Sequence, residues 1–144
     1  MSNNGSKGTI VIGVIGEDVH VVGIRILENA FRDEGFEVHS LGAQVSQEEF
    51  INAAIETNAD AILISSFSGH AESLVQSFRD KCVEAGLSDI ILYIGGSLLL
   101  AEKPWEEVES KFKELGFDRV YPPGTLPATA VEDLKTDISL RRRK

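Results

Sequence analysis

The chain has 144 residues, enough for one domain with a sizeable core, and its 42% hydrophobic and 26% charged residues are typical of globular proteins. A formal net charge of −9 argues against nucleic acid or an anionic membrane as the main partner. The single cysteine, Cys82, excludes an internal disulfide and favours a reducing cytoplasm. The sequence shows neither a signal peptide nor an apolar run long enough to span a bilayer.

Five short apolar runs predict the strands of a parallel sheet covered on both faces. They lie at Thr9–Ile15, Phe36–Leu41, Ala61–Ser65, Ile90–Ile94 and Arg119–Tyr121. The second run carries Glu37 and His39 on one face, which suits an edge strand, and we expect a loop over 42–45 to follow it. We interpret His39 as a plain surface histidine.

Helical periodicity follows each strand. The predicted apolar stripes are Ile26, Leu27, Ala30 and Phe31, then Phe50, Ile51, Ala53 and Ala54, then Leu74, Phe78 and Cys82 in one continuous helix ending at Gly86, and finally Trp105, Val108, Phe112 and Leu115. Ser46 and Glu49 predict a capping box, and Pro104 the first position of a helix. Thr129 with Glu132 predicts the start of a last helix that runs to about Ile138.

Strands alternating with helices predict an α/β fold, a single flavodoxin-like, doubly wound domain of Rossmann-like type with strand order 2-1-3-4-5. We expect a flexible leader over 1–8, the domain over 9–138 and a solvated basic tail over 139–144. In this topology ligands bind where the strand order reverses, between the first and third strands. The loops after the first, third and fourth strands should wall that crevice.

Asp18 and His20 lie on the predicted turn after the first strand. Asp18 can accept the Nδ1–H of His20 and leave Nε2 free to bind a metal. The plainer interpretation of the same residues is a helix N-cap and a partly exposed histidine.

Two other uses of this fold fit the sequence poorly. A phospho-acceptor receiver needs an aspartate after the third strand and a lysine after the fifth, where this chain has Ser65 and Tyr121. A flavin mononucleotide site needs hydroxyls and amides around a phosphate after the first strand, and Glu17 with Asp18 would repel that phosphate.

Three blocks carry a family resemblance: Asp18-x-His20-x-x-Gly23, Ser65-x-Phe67 and Gly95-Gly96. Together they resemble the cobalamin-binding motif of B12-dependent mutases and methyltransferases, Asp-x-His-x-x-Gly, Ser-x-Leu and Gly-Gly, with Phe67 in place of the leucine. Residues 47–57 and 116–125 are similar to the small (sigma) subunits of glutamate mutase, also called methylaspartate mutase.

The resemblance implies adenosylcobalamin as cofactor, with His20 as the axial cobalt ligand and Asp18 as its hydrogen-bond partner. Ser65 is then expected to bond the displaced benzimidazole nitrogen, while the glycines let the nucleotide tail approach the backbone. The full set of cofactor-binding residues expected on this basis is Glu17, Asp18, Val19, His20, Val21, Gly23, Ser65, Ser66, Phe67, Gly95, Gly96, Ser97 and Leu98. We interpret His70 as a rim or partner-facing residue.

The resemblance further implies that no catalytic residue lies on this chain. The amino-acid substrate is expected on a separate large (epsilon) subunit, in a heterotetramer of two small and two large chains that interconverts L-glutamate and (2S,3S)-3-methylaspartate. A corrinoid carrier for methyl transfer is an alternative, although such carriers usually have a helical domain before the sheet. A non-enzymatic cobalamin-binding module is a second alternative.

Overall fold

The computed structural model describes residues 7–16, 22–66, 71–96, 104–122 and 124–142. The strands are β1 (Thr9–Ile15), β2 (Glu37–Val45), β3 (Ala61–Ser66), β4 (Ile91–Gly96) and β5 (Arg119–Val120). The helices are α1 (Val22–Asp33), α2 (Gln47–Thr57), α3 (Ala71–Leu74), α4 (Phe78–Glu84), α5 (Trp105–Glu114) and α6 (Pro127–Arg142). The five strands form one parallel sheet in the order β2-β1-β3-β4-β5, which confirms the predicted topology.

Two apolar clusters cover the two faces of the sheet. Because side chains alternate along a strand, Ile10, Ile12 and Val14 of β1 face α1 and α6, whereas Val11 and Ile15 face the other helices. We call these the α1/α6 face and the α2/α5 face, the latter packing on α2, α3, α4 and α5. All seven residues of β1 are buried, as the β-branched run predicts.

Strand β2 is longer than the sequence indicates. The predicted loop over 42–45 continues the strand to Val45, although its register to β1 shifts between Ile12 and Gly13 and again between Gly13 and Ile15. Gly42 and Gln44 take the positive φ values of 75° and 59°, so irregular pairing rather than a loop accommodates them.

The single helix predicted after β3 is wrong. The chain forms two short helices, α3 and α4, separated by a turn in which Ser77 adopts a left-handed φ of 62°. A continuous helix needs the Leu74 carbonyl as an acceptor for Phe78, but the side-chain amide of Gln47 donates to that carbonyl at 2.7 Å. Phe78 N–H donates to Val75 instead, at 3.2 Å.

The last helix also differs from the prediction at both ends. It begins at Pro127, a residue suited to a first helical position, so Thr129 is not its N-cap, and it continues beyond Ile138 to Arg142. Arg141, expected in a solvated tail, bonds Asp60 at 2.9 Å. Pro104 caps α5 rather than beginning it, whereas the capping box of Ser46 and Glu49 is confirmed. In the described ranges no helix is long and apolar enough to cross a membrane.

Candidate functional site

The strand register brings two of the three predicted motif blocks together. Ser65 of β3 pairs with Gly95 of β4, and Ser66 pairs with Gly96. On its other side Ser65 pairs with Val14, near the end of β1. Since β1 and β3 flank the point where the strand order reverses, these residues stand at the edge of the sheet where a ligand is expected.

A cavity of about 330 Å³ opens at this edge, between α1 and α6. Ser65, Gly95 and Gly96 line it together with side chains that are mostly apolar. Its remaining lining residues are Ile12, Ile24, Ile26, Leu27, Leu63, Ile64, Tyr93, Ile94, Tyr121, Pro122, Gly124, Thr125, Leu126, Pro127 and Ala130. An apolar cleft with few polar groups is typical of a small-molecule or cofactor site.

The neighbouring serines of β3 occupy opposite faces of the sheet. Ser65 lines the cavity on the α1/α6 face. Ser66 shares the α2/α5 face with Ile62 and Ile64 and is 0% exposed, and no described residue hydrogen-bonds its Oγ. A contact of Ser66 with a cofactor therefore stays a prediction that its side-chain position does not support.

The two glycines of β4 have different structural reasons. A Cβ on Gly96, whose φ is +99°, would stand 2.3 Å from the Ser66 carbonyl oxygen, so this glycine is required by the packing of β3 on β4. A Cβ on Gly95 would meet the Tyr121 Cβ at 3.4 Å, an ordinary contact, and would occupy space at the cavity wall. Of these two glycines, only Gly95 could accept a Cβ, and that Cβ would occupy part of the cavity.

Large apolar side chains stand exposed at the rim of the cavity. Ile26 is 55% exposed and Leu126 is 69% exposed, and both line it. The prediction that Ile26 belongs to the core stripe of the first helix is therefore wrong, while Phe31 is fully buried as expected. Exposed side chains of this size beside an apolar cavity are typical of a surface that a ligand covers.

The floor of the cavity contains a polar clamp that the sequence analysis missed. Tyr93 and Tyr121 pack edge to face with ring centroids 5.5 Å apart. The Tyr93 hydroxyl donates to Asp137 of α6, and the Tyr121 hydroxyl donates to Asp133 of the same helix. Arg119 donates two hydrogen bonds to Asp137, at 2.8 and 3.0 Å. A tyrosine inside an apolar strand, with two aspartates one helical turn apart near the chain end, is the signal that points to such a clamp.

Burial and hydrogen bonding shift the pKa values in this clamp. Burial raises the pKa of both tyrosine hydroxyls, and the bonds they donate to the carboxylates raise it further. Burial also raises the pKa of Asp137, but the hydrogen bonds from Arg119 and Tyr93 and the Arg119 charge outweigh it, so the pKa lies below its usual value. The clamp thus holds two neutral tyrosine hydroxyls against the carboxylates of α6 and ties that helix, one wall of the cavity, to the sheet.

Much of the predicted site lies outside the described residues, namely Glu17, Asp18, Val19, His20, Val21, Phe67, Ser97 and Leu98, as does His70. Gly23 lies in the first turn of α1. His39 contacts Glu37 at 2.6 Å on the edge strand, consistent with their predicted shared face. Among described residues, no group of His, Cys, Asp and Glu could hold a metal, and burial raises the pKa of the Cys82 thiol to about 11.

Comparison with known proteins bears on this site. Residues 8–132 match the family model of the B12-binding domain. The chain is 53% identical to the glutamate mutase sigma subunit of Carboxydothermus hydrogenoformans over 131 residues, covering 91% of this chain and 96% of the relative. It is 50% identical to the glutamate mutase sigma subunit of Clostridium tetani, covering 94% of this chain and 98% of the relative.

The chain belongs to the B12-binding domain family, among the glutamate mutase sigma subunits. A solved cobalamin-binding protein from Desulfitobacterium hafniense shares the fold, with a TM-score of 0.73 and 24% identity over 90% of this chain and 58% of that one. As a B12-binding domain, the protein takes cobalamin as its ligand.

The cavity suits the apolar part of such a ligand. Its walls are aliphatic and aromatic, its exposed rim residues Ile26 and Leu126 need a cover, and the Ser65 hydroxyl stands ready for a nitrogen or oxygen of the ligand. Ser65, at the end of β3, and Gly95 of β4 meet at one wall of the cavity. The described residues of the cavity therefore fit the apolar part of cobalamin.

Proposed function

We propose that this chain is the adenosylcobalamin-carrying subunit of a mutase that interconverts L-glutamate and (2S,3S)-3-methylaspartate. The observation that carries the proposal is the apolar cavity lined by Ser65 and Gly95, in a chain that belongs to the glutamate mutase sigma subunits. Adenosylcobalamin supplies the radical chemistry, by homolysis of its cobalt–carbon bond. This chain contributes binding and orientation.

The cavity between α1 and α6 takes the nucleotide tail of the cofactor. Ile24 and Leu27 of α1 and Ala130 of α6 form its apolar walls, and the Tyr93 and Tyr121 rings lie at its floor. The Ser65 hydroxyl would donate a hydrogen bond to the nitrogen of the tail base that is free of the metal. Burial of apolar surface stabilises the bound state, and the rim residues Ile26 and Leu126 are covered when the tail is in place.

The segment after β1 would hold the cobalt end of the cofactor. His20 would bind the metal through Nε2, and Asp18 would accept its Nδ1–H, which would fix the tautomer and orientation of the ring. Glu17, Val19 and Val21 flank this pair, and Gly23 lets α1 approach the tail. Phe67, Ser97 and Leu98 complete the predicted contacts from the loops after β3 and β4.

The substrate and the second subunit lie beyond this chain. We propose that a large (epsilon) subunit binds the amino acid, in a heterotetramer of two small and two large chains, and that the protein acts in the cytoplasm. The name sigma subunit, which the relatives carry, supports a partner chain. The methyl-carrier alternative is not favoured, because relatives aligned over nearly their whole length are mutase subunits.

Two measurements test the proposal. The purified chain should bind cobalamin about 30- to 100-fold more tightly than cobinamide, which lacks the nucleotide tail, because burying one aromatic base contributes about 2–3 kcal/mol. With adenosylcobalamin and a large mutase subunit, the chain should convert L-glutamate to 3-methylaspartate. Equal affinity for both corrinoids contradicts the tail pocket. Methyl transfer without isomerisation, with the same large subunit, contradicts the mutase assignment.

A further inference from the structure

The break between α3 and α4 is stabilised from another helix. Gln47, the first residue of α2, donates from Nε2 to the Leu74 carbonyl at 2.7 Å and to the Gln76 carbonyl at 3.1 Å. Its own Oε1 is buried and has no hydrogen-bond partner among the described residues, and Ser77 in the same turn has a left-handed φ and makes no capping hydrogen bond there. Gln47 therefore supplies two hydrogen bonds from α2 to the backbone at the end of α3.

Gln47 itself is rigidly placed. The residue before it, Ser46, caps α2 in a reciprocal capping box, with Glu49 N–H donating to Ser46 Oγ at 3.1 Å and Ser46 N–H to Glu49 Oε1 at 2.9 Å. One residue earlier, the Val45 carbonyl accepts from Gly16 N–H at 2.9 Å. The segment 45–47 thus contacts both the end of β1 and the end of α3.

The third side of this arrangement is a packing contact between α3 and Gly16. A Cβ on Gly16 would stand 2.8 Å from Leu74 Cδ1, so the leucine side chain covers the glycine closely. Gly16 has a φ of +84° and is the residue after which the chain leaves β1 toward Asp18 and His20. These contacts link four residues in a closed set: Gly16, Val45, Gln47 and Leu74.

We propose that Gln47 is a positioning residue of the cobalamin site: through Leu74 it holds the backbone of Gly16, from which the chain continues to Asp18 and His20. This inference rests on the proposed role of His20. Without the amide donors, the carbonyls of Leu74 and Gln76 bond to water or to an extended helical turn. The Leu74 side chain then moves away from Gly16, and cobalamin binding must restore that contact. The cost of restoring it appears as weaker cobalamin binding and incomplete histidine ligation.

The decisive variant is Gln47→Met, which keeps the side-chain length and removes both donors. The matched control is Gln76→Met, the same replacement at an exposed residue of the same turn that leaves its backbone carbonyl in place. Gln47→Met should bind cobalamin roughly tenfold more weakly, since two net hydrogen bonds are lost. It should also show a smaller fraction of cob(II)alamin with a protein nitrogen on cobalt, measured by electron paramagnetic resonance. Gln76→Met should match wild type in both.

Two further variants keep the test decisive. Leu74→Ala removes the packing on Gly16 but leaves the hydrogen bonds, and it should weaken histidine ligation in the same direction even if Gln47→Met folds poorly. Gln47→Lys restores a donor and should recover affinity to within about threefold of wild type. Affinity and nitrogen coupling that stay within twofold of the Gln76→Met values in both Gln47→Met and Leu74→Ala overturn the inference. If His20→Gly also leaves cobalamin binding and nitrogen coupling unchanged, the proposed function itself has failed.

Discussion

The two faces of the sheet are built on the same strands but are held together differently. On the α2/α5 face, aromatic side chains fill the space between sheet and helices, with Phe50, Phe78 and Phe117 in contact. On the α1/α6 face, the apolar layer stops short of the carboxyl ends of the strands and leaves the cavity. One face is a closed core and the other is an open one.

Polar anchors hold the helices of the open face. On α1, Glu28 is 1% exposed and accepts hydrogen bonds from Ser40 of β2 and Arg25. On α6, Asp133 and Asp137 bind the two tyrosines of the cavity floor. These hydrogen bonds join α1 to β2 and α6 to β4 and β5, and so hold in place the two helices that border the cavity. Hydrogen bonds thus hold α1 and α6 in place although the cavity between them is not filled by side chains.

Truncation of one large side chain on each face tests whether the two faces are packed differently. Phe78→Ala should lower the free energy of unfolding of the apo protein by about 3–5 kcal/mol, because it leaves a void in the closed core. Ile26→Ala should change it by under about 0.5 kcal/mol, yet weaken cobalamin binding by about 1 kcal/mol. Urea unfolding and binding titrations measure both. Similar destabilisation by the two variants would show that the open face is packed like the closed one.

The paired glycines sharpen the comparison at the boundary between the faces. Gly96→Ala should destabilise the apo protein by about 3 kcal/mol, since its φ is +99° and the new Cβ meets the Ser66 backbone. Gly95→Ala should cost about 1 kcal/mol or less in stability but narrow the cavity, so cobalamin affinity falls while thermal unfolding changes little. A Gly96→Ala protein as stable as Gly95→Ala contradicts this assignment of the two glycines.

The adjacent serines test the same division with hydroxyl groups. Ser65→Ala should weaken cobalamin binding by roughly 1–3 kcal/mol, the cost of an unpaired polar group in the buried tail, with little change in apo stability. Ser66→Ala removes a buried hydroxyl that no described residue hydrogen-bonds, so apo stability should be unchanged or about 1 kcal/mol higher. Weaker cobalamin binding in Ser66→Ala would instead support the predicted contact of that serine with the cofactor.

Low pH should destabilise the α1/α6 face, because it removes the charge of Asp137. The pKa of Asp137 is lowered in the folded state, so its contribution is complete above its unfolded pKa near ~3.9 and is lost as pH falls through the folded value. Asp137→Asn should therefore be about 1 kcal/mol less stable than wild type at pH 6, with the gap closing as pH falls below ~3.9. The exposed replacement Glu114→Gln is the control. A gap that persists at pH 2 would locate the effect elsewhere.

The sequence pattern predicted the strands, their order and the meeting of Ser65 with Gly95, because these follow from apolar periodicity and parallel register. It did not predict contacts between residues far apart in the chain. The break between α3 and α4 depends on hydrogen bonds from Gln47. The two tyrosines at the cavity depend on Asp133 and Asp137 of α6, and the position of α1 depends on the hydrogen bond between Glu28 and Ser40. Ile26 was assigned to the core because periodicity cannot distinguish a side chain that faces the core from one that faces a ligand pocket.

The central claim, that His20 binds cobalt in a cobalamin held by this chain, has a direct test. Electron paramagnetic resonance of bound cob(II)alamin should show coupling to one nitrogen that changes from three lines to two when the protein is labelled with ¹⁵N. The chain has three histidines, so His39→Gly and His70→Gly serve as controls and should keep that change, while His20→Gly should lose it. Coupling that is unaltered by labelling, or that still responds to it in His20→Gly, would contradict the account.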